Sequence, residues 1–462
     1  MRDYRLLQQQ VKAAWAKLPP DVRARLEPQI LAAHQQMLAV NTLGAEAAPA
    51  PVNRQLLSVY SMLNDDPDGL LRSAAKPAVE GILTQVRPDG EVLFGEVDYD
   101  VTDLGWAYII VALGETWGET PPFKIPTQAV QIDDNATLAI LGDWGGANQP
   151  ALQVAKAAKG SRANYFIHLG DVYYAGTNGS GALEEPYQQT NFLKIWPGPV
   201  GASFALNSNH DMYAHATGYS LTALASEIFK TQGGANCFAL YNKSFRIVGL
   251  DSAYYAPDDL YDVGSLGDPA GGQATFLRQQ AEQAAAAGQN LILLTHHNGL
   301  SWDGSTPEPL WQEVADQLAP FSGKSICWYW GHVHIGAVYK PQVVNKITIY
   351  PRCCGHSCIP WGVATGLQHN SNVLWFENEV LGPGSNYFVT NGYATVALTG
   401  ASMKETFYDQ SGSAQWSNTW PKPSGAAKAK KPSGVAKAKR SPSPRLASAK
   451  RSPSRRRATR KR

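Results

Sequence analysis

A chain of 462 residues with 44% hydrophobic residues, 13 Trp and 20 Tyr can bury a large core, and its composition is neither fibrous nor collagen-like. The formal net charge of +2 hides two unlike parts: residues 421–462 hold 16 Lys or Arg and no acid, which leaves 24 bases against 38 acids in the rest. Cysteines at 237, 327, 353, 354 and 358 form no CxxC pair, so a disulfide scaffold is not implied. The apolar runs are far shorter than the ~20 residues of a membrane span. The segment MRDYRLLQQQVKAAW is polar and periodic, unlike a secretory leader, so a cytoplasmic location with no membrane partner is expected.

Residues 1–40 read as helices. After Pro19-Pro20, Asp21 stands as a cap, and Val22, Leu26, Ile30, Leu31 and Met37 recur at helical spacing. An Ala/Pro stretch from Glu46 to Val52 reads as a linker, with more helix expected to about Gln85. From Glu91, EVLFGEVDYD alternates like a strand, and WAYIIVAL, from Trp106, reads as a buried strand or a short helix. Nothing here names a chemistry, and residues 1–130 are set apart as an accessory region.

From Ala136 six short apolar runs each end in a polar turn: ATLAILGD, NYFIHLGD, GASFALNSNHD, FRIVGLDS, NLILLTHH and SICWYWGHVH. Helical stretches at Leu152–Ala158 and Gln273–Ala287 lie between them, which is the alternation of an α/β fold. Residues at the carboxyl ends of such strands converge on one crevice. Lys346–Ile349 and Phe388–Leu398 continue the β pattern, so residues 131–415 are expected to form one catalytic domain and 416–462 a tail.

The strand ends offer Asp143 in GDWGG, Asp171 and Tyr174 in GDVYY, Asn209 and His210 in SNHD, His296 in THH, and His332 and His334 in GHVH. This carboxylate, imidazole, amide and phenol set suits Fe, Zn or Mn better than Ca or Mg, or sites built on thiolates. GHVH reads as the end of a strand, so His332 and His334 share one face and can both reach a metal site while Val333 points away. Each motif alone has a plainer reading: GD at a strand end is a common turn, and Tyr174 beside Tyr173 could be an ordinary half-buried aromatic. Five motifs in one order are harder to set aside.

Over about Ala136 to Val338 these motifs resemble the calcineurin-like metallophosphoesterases, and among them the purple acid phosphatases. Asp143-Trp144-Gly145 lacks the imidazole of the usual Asp-x-His opening, and Tyr174 stands three residues after Asp171, the joint departure that purple acid phosphatases make. The resemblance implies a β-sandwich flanked by helices. It also implies that Asp143, Asp171, Tyr174 and His334 hold a first metal and Asp171, Asn209, His296 and His332 a second, with Asp171 bridging. A phenolate favours iron at the first position, with Fe, Zn or Mn at the second. Ser208 replaces the usual glycine of Gly-Asn-His, and His297 competes with His296 as ligand.

Two ions ~3.5–4 Å apart can activate a hydroxide and stabilise both oxygens of an in-line displacement at phosphorus. His210 would donate to a phosphate oxygen or the leaving group, oriented by Asp211; His215, His297 and Asp251 are candidates for the substrate side. The expected reaction is hydrolysis of a small phosphate ester, monoester before diester, in a pocket shaped by loops such as Ala175–Pro186 and Tyr254–Asp268. His168 reads as a core histidine, CCGHSC (353–358) as a buried loop beside the pocket rather than a zinc knot, and Asp258, Asp259 and Asp262 as a solvated acidic loop.

Residues 421–462 have no apolar period, and disorder is expected. They resemble the Lys/Ala/Pro tails of linker-histone-like proteins, which implies salt-dependent binding to nucleic acid or another polyanion. A solubility tail and self-association with the acidic body are the alternatives. Two rival functions follow: a phosphodiesterase or nucleotide hydrolase tethered to nucleic acid, and a non-catalytic nucleic-acid-associated protein. Oligomeric state is left open.

Overall fold

The computed structural model describes residues 4–43, 53–64, 103–176, 191–359, 367–379 and 389–420, together with the backbone of two short paired strands, β1 (Gln85–Val86) and β2 (Val92–Leu93). The expected linker at 46–52, most of the helix expected before Gln85, and the tail at 421–462 lie outside the described residues.

The N-terminal region is helical because its apolar residues keep helical spacing. Leu7, Val11 and Ala14 are buried along α1 (Tyr4–Lys17), and Val22, Leu26, Ile30, Ala33 and Met37 along α2 (Pro20–Leu43). Leu31, counted with that stripe from sequence, is 47% exposed; Ala33 takes its place. α3 (Arg54–Leu63) starts at Asn53, whose Oδ1 accepts a hydrogen bond from the Leu56 amide at 3.0 Å. WAYIIVAL resolves as a helix: a 3₁₀ turn at Leu104–Ala107 leads into α4 (Tyr108–Glu115), with Ile109 to Leu113 all buried. A helix apolar on every side has to sit at the centre of its layer. A Cβ on Gly114 would come within 2.7 Å of the Ala14 carbonyl oxygen, so the crossing of α1 and α4 requires glycine there.

Two sheets follow. In the first, β4 (Thr137–Leu141), β5 (Tyr165–His168) and β6 (Ser203–Ala205) are parallel, and β4 pairs antiparallel with β15 (Gly392–Thr399), which leads to β16 (Ser402–Asp409) and β17 (Ala414–Trp420). The second runs β14 (Val373–Phe376), β11 (Gly336–Tyr339), β13 (Ile347–Cys354), β10 (Ser325–Trp330), β9 (Asn290–Thr295), β8 (Phe245–Leu250), β7 (Phe238–Tyr241) and β3 (Val130–Gln131), with β12 (Gln342–Val344) on β13. Its central strands β8, β9, β10 and β13 are parallel.

Period-two alternation stacks the layers. Phe245, Ile247, Ile292, Leu294, Cys327 and Tyr329 meet Leu138, Ile140, Ile167 and Phe204 of the other sheet in one core. Their neighbours Val248, Leu250, Leu291, Leu293, Ile326 and Trp328 pack with α7 (Gly272–Ala287) and α8 (Pro309–Gln317). Helix α5 (Gln149–Gly160) covers Ala139, Leu141 and Phe166 through Ala151, Val154 and Ala158. The result is the expected β-sandwich flanked by helices, and the N-terminal layer shares a core with Ala175, Tyr213, Ala214 and Leu260. Of the expected boundaries, 130/131 lies within β3 and 415/416 within β17, which ends at Trp420. No helix among the described residues is long and apolar enough to cross a membrane.

One buried ion pair ties the two sheets. Arg352 of β13 donates through Nε and an Nη to the two carboxylate oxygens of Glu405 of β16, each at 2.7 Å, and Tyr329 and Asn418 also donate to that carboxylate at 2.8 and 3.0 Å. Burial alone would push the Glu405 carboxyl up; the Arg352 charge and these hydrogen bonds outweigh it and hold it below its ordinary 4.5. Its contribution is therefore fully present above that value and is lost as pH falls through the lower folded value. Glu405→Ala, which leaves the guanidinium buried and unpaired, is expected to cost about 3–5 kcal/mol in urea unfolding at neutral pH. The difference from wild type should shrink in acid.

Candidate metal centre

The carboxyl ends of β4, β5, β9 and β10, with the short helix α6 (Asn209–Met212) after β6, bring most of the expected side chains together. Ligand atoms of Asp143, Asp171 and His334 lie within 4.8 Å of one another, and so do those of His296, His297 and His332. The turns that present them are strained: Asp143, Asp171, His332 and His334 have φ of 57°, 76°, 66° and 46°. Left-handed backbone at a non-glycine residue costs of order 1 kcal/mol or more, and such strain concentrates at functional sites. GHVH is accordingly not a strand. β10 ends at Trp330, and residues 331–335 form a loop whose two left-handed histidines go to different groups. A Cβ on Gly331 would collide with Asp143 Oδ2, which also accepts the His332 amide at 2.8 Å.

The hydrogen-bond pattern fixes which lone pairs are left over. His296 Nδ1 lies 2.9 Å from the Leu169 carbonyl oxygen, so it carries the proton, and Nε2 presents a lone pair 2.9 Å from Asn209 Oδ1 and 3.3 Å from Asp171 Oδ1. Asn209 is oriented by its own amide, which donates to Tyr213 Oη and Asp262 Oδ1 at 3.3 Å each. Three acceptors thus face one point with no proton between them. Asp143 Oδ1 and Asp171 Oδ1 are buried without a hydrogen-bond partner. Burial pushes His296 down to about 3 and His334 to about 4, so both rings stay neutral, the form that binds metal. Burial and the adjacent Asp171 charge push Asp143 well up. A donor set of this chemistry fits two cations.

Several sequence assignments change. Tyr174 does not face the acids: its hydroxyl donates to the buried Asp103, which also accepts the Gly105 amide at 2.8 Å. Tyr173 faces them instead, donating to Asp171 Oδ2 at 2.7 Å and lying 3.1 Å from His334 Nε2. His297 sits beside His332, yet both of its ring nitrogens are engaged, Nε2 with the Tyr261 carbonyl at 2.7 Å and Nδ1 with the Ser252 hydroxyl at 2.9 Å. That leaves His296, rather than His297, with an outward lone pair. His210 Nδ1 donates to the Tyr174 carbonyl, and its Nε2 lies 4.0 Å from Asp171 Oδ2 and 3.3 Å from Gln55 Nε2. Asp211 does not orient it: that carboxylate accepts from Ser208 Oγ at 2.7 Å. Ser208, the departure from glycine, thereby caps α6, accepting the Asp211 amide at 3.1 Å.

His215 contacts Thr120 and Trp117, and Asp251 holds Asn207, Asn236 and the amides of Ala253 and Tyr254; neither lines the cleft. Asp258, Asp259 and Asp262 are not simply solvated: Asp258 accepts three loop amides, Asp259 pairs with Arg25 at 2.6 Å, and Asp262 borders the site. His168 is a core residue, 2.6 Å from the Trp144 carbonyl. In CCGHSC the thiols of Cys353, Cys354 and Cys358 turn to three separate oxygens, of Gly331, Ile140 and Asn148, so no knot forms.

Sequence reasoning missed the residues that the N-terminal layer contributes. Gln55 at His210, Asp103 at Tyr174, and Trp106 edge-on to Tyr173 and Tyr174 all come from outside the recognised motifs. Asp103 also caps the 3₁₀ turn at Leu104–Ala107, accepting the Gly105 amide. A cleft of about 380 Å³ opens over His332 and His334, walled by Asn53, Arg54, Gln55 and Trp106 on one side.

Residues 136–336 match the family model of the calcineurin-like phosphoesterases, and this part of the chain is a domain of that family. Among solved structures it is similar to GAP50, the anchor in the inner membrane complex of Plasmodium, with 14% identity over 62% of this chain and 88% of that one and a TM-score of 0.45. It is also similar to a dimetal phosphatase from Danio rerio, at 12% identity over 62% and 98% with a TM-score of 0.41. A third similarity is to PhoD, at 12% identity over 64% and 70% with a TM-score of 0.40. No curated protein matches the chain.

Proposed function

We propose that the chain is a dinuclear phosphoesterase that transfers the phosphoryl group of a phosphomonoester directly to water. The observation that carries this reading is the convergence of Asp171 Oδ1, Asn209 Oδ1 and the His296 Nε2 lone pair, beside the Asp143, Asp171 and His334 group, with no donor to satisfy them. Asp143, Asp171, His334 and Tyr173 would hold one ion and Asp171, Asn209, His296 and His332 the other. Bound ions would supply Lewis acidity at the phosphoryl oxygens and lower the pKa of the attacking water. A phenol donor favours iron at the Tyr173 position, with Fe, Zn or Mn at the other.

His210 borders the acids with its Nδ1 proton committed to Tyr174, which leaves Nε2 as the atom to receive and pass a proton to the leaving group. No side chain in this arrangement needs to be phosphorylated. The reading is tested with full-length, metal-loaded protein on 4-nitrophenyl phosphate and bis(4-nitrophenyl) phosphate. Hydrolysis of both with a higher kcat/KM for the monoester is expected; turnover of neither with Fe, Zn or Mn would reject it.

The charge of residues 421–462 supports a second activity, tethering to nucleic acid. Sixteen cations and no acid predict binding that is blind to sequence and weakens by roughly 10³-fold or more between 50 and 200 mM salt. Fluorescence anisotropy with a labelled duplex, with and without residues 421–462, measures it. Equal binding by the truncated chain would remove the tether.

A further inference from the structure

We propose that the N-terminal layer supplies the substrate's phosphate anchor: Arg54, the first residue of α3, takes the terminal phosphoryl oxygen that the two metal positions leave over. This rests on the phosphoesterase reading and adds to it a residue outside the family domain. Arg54 is the only Lys or Arg among the described residues that line the cleft, whose other charged walls are the acids Asp262 and Glu308. Among those residues, Arg54 is the cation that can meet an anion.

Its position is built rather than incidental. Asn53 caps the first turn of α3, the Ser58 hydroxyl donates to the Asp103 carbonyl at 2.9 Å, and Asp103 in turn receives the Tyr174 hydroxyl. Next to Arg54, Gln55 reaches His210. The Arg54 guanidinium lies 6.0 Å from the centroid of the Trp106 ring, which is itself 5.9 Å from Tyr173 and 5.7 Å from His210. Buried hydrogen bonds and ring contacts therefore fix the start of α3 against the strand-end acids.

The chemistry selects a substrate class. A phosphomonoester carries three terminal oxygens and a diester two. Two ions can each take one, and a guanidinium fork over the same site finds an oxygen left only on the monoester. Arg54 thus accounts for a preference that the metal positions alone do not produce.

The test is calorimetric binding of inorganic phosphate to metal-loaded, full-length protein, with 4-nitrophenyl phosphate kinetics beside it. Arg54→Gln is expected to weaken phosphate binding and raise KM by about 10- to 100-fold, the range for a charge-assisted contact, with metal content unchanged. Arg54→Lys should lose a smaller factor, and Lys17→Gln, a cation of the same layer paired with Glu115, should change nothing. Wild-type phosphate affinity in Arg54→Gln, or an equal loss in Lys17→Gln, would overturn the assignment. If the glutamine variant does not fold, wild-type affinity in Arg54→Lys does so instead. Phosphate binding that depends on Arg54 without any hydrolysis would reject catalysis and keep the anchor; hydrolysis with Arg54-independent phosphate binding would do the reverse.

Discussion

Replacing Asp171 by alanine is expected to lower kcat/KM for 4-nitrophenyl phosphate by on the order of 10³-fold or more while leaving the chain folded. Among the described residues, Asp171 is the side chain that touches both groups of acceptors: Oδ1 lies 3.3 Å from His296 Nε2, and Oδ2 lies 2.7 Å from Tyr173 Oη and 3.6 Å from His334 Nε2. Removing it takes the shared oxygen from both positions, and loss of metal assistance is worth several kcal/mol at the transition state, each 1.36 kcal/mol being about tenfold. The same residue is a liability in the metal-free protein, because it is a buried carboxylate with an unpartnered oxygen on left-handed backbone. The metal-free variant should therefore melt no lower than the metal-free parent. Activity within tenfold of wild type at full metal loading would refute the bridging role.

The two adjacent tyrosines give the second large effect. In iron-loaded protein the visible phenolate band is expected to disappear in Tyr173→Phe and to persist in Tyr174→Phe. Tyr173 directs its hydroxyl at Asp171 and His334, whereas Tyr174 directs its own at Asp103. In the metal-free protein burial and the Asp171 and Asp143 charges keep the Tyr173 phenol protonated, so ionisation needs the cation. Tyr174→Phe should act on stability instead: it leaves Asp103 short of a buried donor, at a cost of about 1–3 kcal/mol in thermal or urea unfolding. Loss of the band in Tyr174→Phe, with Tyr173→Phe still coloured, would restore the assignment that the resemblance implied.

That reversal marks where the sequence is legible. The six strand ends and their order follow from short apolar runs that stop at polar turns, which is local information, and the sandwich places Asp143, Asp171, His296 and His332 where those runs end. Which of two neighbouring side chains turns inward is not local. It depends on left-handed backbone at Asp171 and on an acceptor, Asp103, some seventy residues earlier. GHVH shows the same limit, since alternation on a strand and two left-handed loop residues give different directions to His332 and His334.

His215 and Asp251 were drawn toward the cleft because of what they could do chemically, but both are committed to neighbouring loops. The N-terminal helices were visible from periodicity alone. Their part in the site was not, because a helix stripe records what is buried and not what it is buried against; Gln55 and Arg54 lie at the capped end of α3, outside the stripe.

Metal content per chain, measured by mass spectrometry on full-length protein reconstituted with iron and zinc or manganese and then desalted, bears most directly on the claim that two cations share Asp171. Two ions per wild-type chain are predicted, with one or none in Asp171→Ala and no change in Asp251→Asn, whose carboxylate serves a loop. A wild-type chain that keeps no transition metal, or an Asp171→Ala chain that keeps two, would contradict it.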